Sequence, residues 1–462
     1  MVLLAAILAM ALYPAVQPLF TKLSGKAIPS LRSFPFYYLL FLMALVILVG
    51  IAAGLYPALV LSSLKSSDAV KGKLASVADH IWLRKLLAGL QFCLASIVLI
   101  AALVVAQQVA YFFGNSLGYN KDYVVSSQVP RDWTPEGVLK MEAVRNQFVS
   151  LPGVAHVTLS YEIPDGMNGG QGQIYKAGTD STTAISAQLM NTDEYFTQTY
   201  GIPVKEGSYF TAANNSDPTK VVINEAAAKA LGWSSGHEAL GRQVRFFNFE
   251  PACTIIGVTA DYHFNSMQQK IPPMVFGQVQ LFNAYRYLSF KLKPGNISRT
   301  INSIENKWAQ LLPGSSFEYR FMDDTLKRVY RTELQLKQAA YTAALLSLLI
   351  VLLGIIGVVS LNIQKLTREM GIRKILGASV SHIITLFIKD FFSVMVVAGL
   401  LACPIAWLVM KYWLNNYAYR IPLTPAPFLW SVGSLISIIV LLIILQTTKA
   451  GLANPVKNLR TE

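Results

Sequence analysis

The stretch REMGIRKILGAS, Arg368 to Ser379, sets four charges and two glycines between two of the most apolar segments of the chain. Its neighbours decide the fold class. A helix needs about 20 apolar residues to cross the hydrocarbon core of a bilayer, and the runs at about 338–363 and 386–410, on either side, are that long. The stretch reads as a short polar link between two transmembrane helices.

Further runs of the same kind lie at about 2–20, 36–61, 87–112 and 428–447, so six transmembrane helices are expected. With 53% apolar and only 14% charged residues, the chain is not a single soluble domain. The first run has no basic region before it and no small-residue cleavage site, and it reads as a span rather than a removed signal peptide.

Orientation follows from the short loops, because Lys and Arg accumulate on the cytoplasmic side. The loops with Lys71, Lys73, Lys365, Arg368, Arg373, Lys374 and Lys457 are richer in basic residues than those with Lys22, Lys26 and Lys411. Both termini and REMGIRKILGAS are therefore expected in the cytoplasm, and the long polar region from about 113 outside. Residues 113–335 hold 20 Lys plus Arg and 20 Asp plus Glu, so the net charge of +14 belongs to the membrane part. A nucleic-acid-binding domain should itself be basic, which excludes that class; the excess charge is topological and suits anionic membrane lipid.

Two similar patterns bracket the outer region. KDYVVSSQVP, a helix around Glu136 to Leu151 and GVAHVTLSY make the first; YRYLSFKLKPG, a helix around Ser298 to Leu312 and SSFEYRFM make the second. Apolar residues alternate in the strands and recur at three and four in the helices, as an α+β sheet domain requires. A β-rich insert is expected at about 195–280. From about Asp324 to Leu366 the pattern stays helical with no clear break before Gly354, on the order of 60 Å of stalk and span, and a partner helix runs from near Arg84 to about Phe113.

The expected order is two transmembrane helices in 1–62, a cytoplasmic linker in 63–85, a transmembrane helix in 86–112 and an extracytoplasmic domain in 113–335. Three transmembrane helices in 336–447 and a cytoplasmic tail in 448–462 complete it. The fold class is membrane α-helical plus an extracytoplasmic α+β domain with a β-rich insert. There is also an internal repeat: LYPAVQPLFTKLSGKAIP and ACPIAWLVMKYWLNNYAYRIP share a Pro within the span (Pro14, Pro404), a following Lys (Lys22, Lys411) and an Ile-Pro end (Pro29, Pro422). This implies the C-terminal part of a longer duplicated protein, with an incomplete first repeat.

Several features read as structural. The three cysteines make no disulfide framework: Cys93 and Cys403 fall in spans and Cys253 stands alone outside. Asp261 and His263 have the spacing of one strand face, yet five His in the whole chain make a metal or acid–base site a poor fit. Gly50 and Gly54 form a GxxxG, expected to pack within the helix bundle. GMNGGQGQ, Gly166 to Gln173, reads as a flexible linker, and Phe34, Phe36, Tyr37 and Tyr38 with Trp413, Tyr417 and Tyr419 read as an outer interface belt.

Physically, REMGIRKILGAS suits a helix lying at the membrane face, with Met370, Ile372, Ile375 and Leu376 as its apolar side and Gly371 and Gly377 permitting turns. Interfacial anchoring and docking of a cytoplasmic partner both fit.

TREMGIRKILGAS resembles the signature of the FtsX-like permease family of ABC transporters, whose MacB-type members carry a large outer domain. LPGV (Leu151 to Val154), INEAAAKALGW, DYHFNSM, FEYRFMDD and ANPVKNLR resemble the family in the same order. The resemblance implies a non-catalytic permease of the bacterial inner membrane with no cofactor of its own. ATP would be used by a cytoplasmic ABC ATPase subunit docked on Arg368, Glu369, Gly371, Ile372, Arg373 and Gly377. G-x-x-x-x-G-K-[ST] does not occur in the sequence, in keeping with that division of labour. The resemblance further implies a homodimer or second permease half, a periplasmic adaptor, and export or extraction of a peptide, lipoprotein or amphipathic compound. Mechanical activation of an envelope enzyme or sensor without transport is the alternative it leaves open.

Overall fold

The computed structural model describes residues 2–24, 27–62, 81–114, 117–167, 170–211, 217, 219–247, 249–375 and 380–451. In chain order the elements begin with α1 (Val2–Ser24), α2 (Phe36–Ser62), α3 (Ile81–Phe113), β1 (Val124–Gln128), α4 (Pro135–Val149) and β2 (Val154–Ser160). Next come β3 (Gln171–Lys176), β4 (Ile185–Thr192), α5 (Phe196–Tyr200), β5 (Val204–Gly207), β6 (Lys220–Asn224), α6 (Glu225–Ala230), α7 (Gly236–Ala239) and β7 (Gln243–Phe246). β8 (Phe249–Thr259), β9 (Met274–Gln278), α8 (Val279–Phe282), β10 (Tyr287–Leu292), α9 (Ile297–Leu311), β11 (Tyr319–Phe321) and α10 (Met322–Val329) follow. Three long helices close the chain: α11 (Arg331–Ile375), α12 (Val380–Leu414) and α13 (Ala426–Gly451). Two compact units result: Gln108–Arg331 with Leu414–Ile421, and the rest.

The helical unit has one apolar seam. Phe92 and Ala95 of α3, Val351, Ile355 and Val359 of α11, Phe391, Met395 and Ala398 of α12, and Leu435, Ile439 and Ile443 of α13 form its core. Their spacing of three or four residues keeps one side of each helix turned inward. Lipid is as apolar as leucine, so close packing holds such helices together. At Gly399, for instance, a Cβ would lie 2.8 Å from Val432. From α1, Tyr13 donates to the carbonyl of Pro29 at 2.8 Å and Gln17 to that of Ile28 at 2.6 Å, both in the loop before α2. The GxxxG expectation fails among the described residues, where no atom lies within 4 Å of the place a Cβ would take on Gly50 or Gly54.

Among the described residues, five helical segments are long and apolar enough to cross a membrane: Val2–Thr21, Lys85–Phe113, Arg331–Leu361, Phe391–Leu414 and Ala426–Lys449. In α2 the shorter stretch Phe36–Ile51 is apolar.

The second unit joins two architectures. β11, β1, β10 and β2 lie side by side in that order, each antiparallel to its neighbour. The two β-α-β units thus interleave as a split βαβ sheet. α4 begins at Thr134, whose hydroxyl accepts from Gly137 N, with Pro135 at its first position; α9 begins at Asn296, which accepts from Arg299 N. Val125, Val157, Leu159, Leu288, Phe290 and Leu292 meet Val138, Met141, Phe148, Ile301, Ile304 and Trp308 in the core. Ser126, Tyr287 and Ser289 alternate with those strand residues and so take the opposite face.

Between β2 and β10 is a closed six-stranded barrel. β4 pairs with β3, β3 with β7, β7 with β8, β8 with β6, β6 with β9, and β9 in parallel with β4. Closure leaves no open edge among these strands. β5 adds to β8, and one pair, Ser160 with Thr192, joins barrel to sheet. The expected start of the insert at about 195 is too late, because β3 and β4 already belong to the barrel. The stretch Gly166 to Gln173 is likewise not all linker, since strand β3 opens at Gln171.

Candidate functional site

As far as Ile375, the segment that raised the docking question is a continuation of α11. Arg368, Glu369, Gly371, Ile372 and Arg373 occupy the last turns of this 45-residue helix, and Gly377 lies outside the described residues. The expected separate helix at the membrane face, and the break at Gly354, are both corrected. No proline interrupts Arg331–Ile375, and a glycine within a helix costs only about 1 kcal/mol relative to alanine.

The break comes earlier. Tyr330 leaves helical geometry at φ −101 and ψ 25, separating α10 from α11. Its buried ring stacks on Phe112, with centroids 4.6 Å apart and planes 10° from parallel. Its hydroxyl accepts from Met267 N at 3.0 Å. Packing of the tyrosine outweighs the local tendency to run on as one helix.

Tyr330 belongs to a joint within the second unit, where three further segments distant in sequence meet it. The end of α3 supplies Gln108 and Phe112, the loop from Tyr262 to Ile271 supplies backbone, and the loop between α12 and α13 supplies Tyr417 and Tyr419. Phe112 meets Tyr417 at 5.4 Å. Ala418 N donates to the carbonyl of Gln268 at 3.2 Å and Tyr419 N to that of Met267 at 3.1 Å. The Tyr419 ring stands edge-on to His263, centroids 4.5 Å apart. Gln108, fully buried, closes the joint: its Nε2 donates to the carbonyl of Tyr419 at 3.0 Å and its Oε1 accepts from Ile421 N at 2.9 Å.

Tyr417 and Tyr419 are thus not interface-belt residues; Tyr417 is 5% exposed. Phe36, Tyr37 and Tyr38 are exposed. Asp261 and His263 part company: Asp261 Oδ1 accepts from Ala226 N at 2.9 Å at the start of α6, while His263 faces Tyr419. Burial lowers the His263 pKa to about 4, so at neutral pH the imidazole is uncharged against the tyrosine. Among the described residues no cluster of His, Cys, Asp and Glu is able to hold a metal ion. Cys253 is buried in the barrel core, its thiol pushed up to about 11 by burial.

A buried ion-pair network ties sheet to barrel. Arg145 of α4 donates to Asp193 at 2.6 Å and to Glu194 at 3.0 Å. Asp193 also accepts from Leu159 N at 2.7 Å. Burial raises its pKa while Arg145 opposes the rise. Neither the network nor the joint was read from the sequence. The one signal was the run of tyrosines 417 and 419 after a basic, aromatic helix end, and it also suits an interface belt.

Two family profiles cover most of the chain. Residues 86–306 match the MacB-like periplasmic core domain and residues 341–455 the FtsX-like permease C-terminal domain. The chain carries a MacB-like periplasmic core domain followed by an FtsX-like permease C-terminal domain. Among similar proteins, the probable export ATP-binding/permease protein MacB of Pseudomonas entomophila (strain L48) is 26% identical over 261 residues, 54% of this chain and 37% of that protein. The pyoverdine export ATP-binding/permease protein PvdT of Pseudomonas fluorescens (strain Pf0-1) is 24% identical over 368 residues, 75% of this chain and 53% of that protein. The chain thus spans about a third to a half of these relatives' length. The crystal structure of the periplasmic region of MacB from Actinobacillus actinomycetemcomitans covers 47% of this chain and 97% of its own, at 15% identity and a TM-score of 0.34. The family and the apolar helices make this permease a multi-pass inner-membrane protein.

Proposed function

We propose that the chain is the membrane subunit of an ABC transporter, with six spans, in which a separate cytoplasmic ATPase docks on Arg368, Glu369, Gly371, Ile372, Arg373 and Gly377. ATP is used by that partner and this chain is not itself an enzyme. Motion at the docking segment passes along α11 to the outer domain, which drives export or extraction of a peptide, lipoprotein or amphipathic compound, working with a second permease half and a periplasmic adaptor.

The uninterrupted α11 carries this reading. At 1.5 Å per residue a helix of this length is about 68 Å of rod, with the docking residues in its last turns and the buried Tyr330 immediately before its first. A helix without a break conveys displacement or torque that a loop would absorb. The test is affinity purification of the detergent-solubilised chain from its native membrane, mass spectrometry of what accompanies it, and an ATPase assay. A co-purifying ATPase whose activity falls with Arg373→Glu is expected; its absence, or an activity indifferent to that change, overturns the docking assignment.

A further inference from the structure

The second unit holds a cleft of about 500 Å³ on the face of the split βαβ sheet opposite α4 and α9, within the size range of small-molecule sites. Its charged part is Arg286, Arg320 and Arg328 facing Asp165 and Glu318. Its apolar part is Ile163, Met167 and Tyr287; Phe317 and Tyr319 border it at the sheet edge, the Phe317 ring lying against Trp308 of α9.

We propose that this cleft binds an amphipathic organic acid, its carboxylate on Arg286 and Arg328 and its apolar body on Ile163, Met167 and Tyr287. The balance of charge favours an anion: three guanidinium groups face two carboxylates, and Glu318 is exposed. Asp165, 6% exposed, already accepts from Met167 N at 2.8 Å. Its contact with Arg328 is long, 3.9 Å, and leaves that half-exposed guanidinium with donors to offer. Arg286 lies over the Tyr287 ring at 5.2 Å, and its Nε is buried with no hydrogen-bond partner among the described residues. A buried donor without an acceptor costs stability, and a ligand oxygen would satisfy it. Guanidinium forks match carboxylates in two parallel bonds, and the apolar wall of Ile163, Met167 and Tyr287 beside them selects acids with an apolar body over bare anions.

The inference does not depend on the ATPase reading, because it concerns the outer unit alone. It is tested on the full-length chain in nanodiscs of zwitterionic lipid, by ligand-observed NMR titration with phenylacetate, its neutral amide phenylacetamide, and inorganic phosphate. Phenylacetate is expected to bind in the millimolar range that a ligand of about ten heavy atoms reaches, with the amide and phosphate each at least about tenfold weaker, a difference of about 1.4 kcal/mol. Arg328→Gln, at a half-exposed position, and Arg320→Gln, at an exposed one, keep the fold; Arg328→Gln should weaken phenylacetate binding about tenfold and Arg320→Gln by less. Equal binding of acid and amide, equal binding of phosphate, or an unchanged titration in Arg328→Gln would each overturn the proposal.

Discussion

Gln108→Leu is the sharpest probe of the joint. The substitution keeps most of the side-chain volume while removing the donor to the Tyr419 carbonyl and the acceptor for Ile421 N–H, at 3.0 and 2.9 Å. Each buried group left without a partner costs about 1–3 kcal/mol. The loop is partly exposed at Ala418 and Arg420, so water recovers part of this, and the net loss should be about 2–3 kcal/mol, the low end of a summed range of about 2–6 kcal/mol. That makes local opening about 30- to 150-fold more frequent, at 1.4 kcal/mol per factor of ten. Hydrogen–deuterium exchange of the full-length protein in detergent reads the change at the amides of Ala418, Tyr419 and Ile421, with the amides of β10 as the control for an intact fold. Unchanged exchange in the loop of a folded variant would refute the view that Gln108 closes the joint.

Other consequences follow from the same structure. Gly371→Pro breaks α11 at a helix-interior position, a cost of about 3 kcal/mol, and should abolish stimulation of the partner ATPase while the protein still inserts in the membrane; full stimulation would count against the docking segment. Arg145→Met leaves Asp193 buried without its cation and should destabilise the outer unit by about 3–5 kcal/mol, read as a lowered thermal midpoint of the full chain; an unshifted midpoint would show the network to be dispensable. The pKa of His263, depressed by burial to about 4, lies below that of the unfolded chain. The unfolded state therefore takes the proton first, and the associated stability, present above about pH 6.5, is lost as pH falls toward 4, up to about 3 kcal/mol. His263→Gln should flatten the pH dependence of exchange in the loop at Tyr419; a profile that keeps its slope would place its origin elsewhere.

The membrane part was legible because a bilayer imposes length and composition on every span, and the split βαβ sheet because its strands alternate and its helices recur at three and four. Leu288, Phe290 and Leu292 against Ile301, Ile304 and Trp308 are such a case. The barrel was harder to see. Its closure rests on the pairing of β4 with β9, and strand pairing between distant segments leaves no periodicity in either one. The break at Tyr330 was hidden because local propensity favours helix on both sides, and only the stack on Phe112 decides it. The joint was misread for a similar reason: Tyr417 and Tyr419 carry the same chemistry whether they face lipid headgroups or the loop at Met267. At the docking segment, the residue types were readable but the run-on of α11 was not, since Gly371 suggested a turn where helix continued.

The placement of the barrel also sets an order of assembly. β2 and β10 are adjacent in the sheet, Ser160 opposite Tyr287, yet every residue of the barrel lies between them in the chain. During synthesis β2 must wait for the whole inserted lobe to emerge before its neighbour exists. The barrel, whose strands pair with one another, is complete by Gln278 and can close first. Once closed, it brings the ends of its own segment together and shortens the effective loop that the sheet must close, lowering the entropic barrier to the late pairing. Substitutions in the barrel core, such as Val221 or Ile255, should therefore slow the maturation of a sheet that those residues do not help to build.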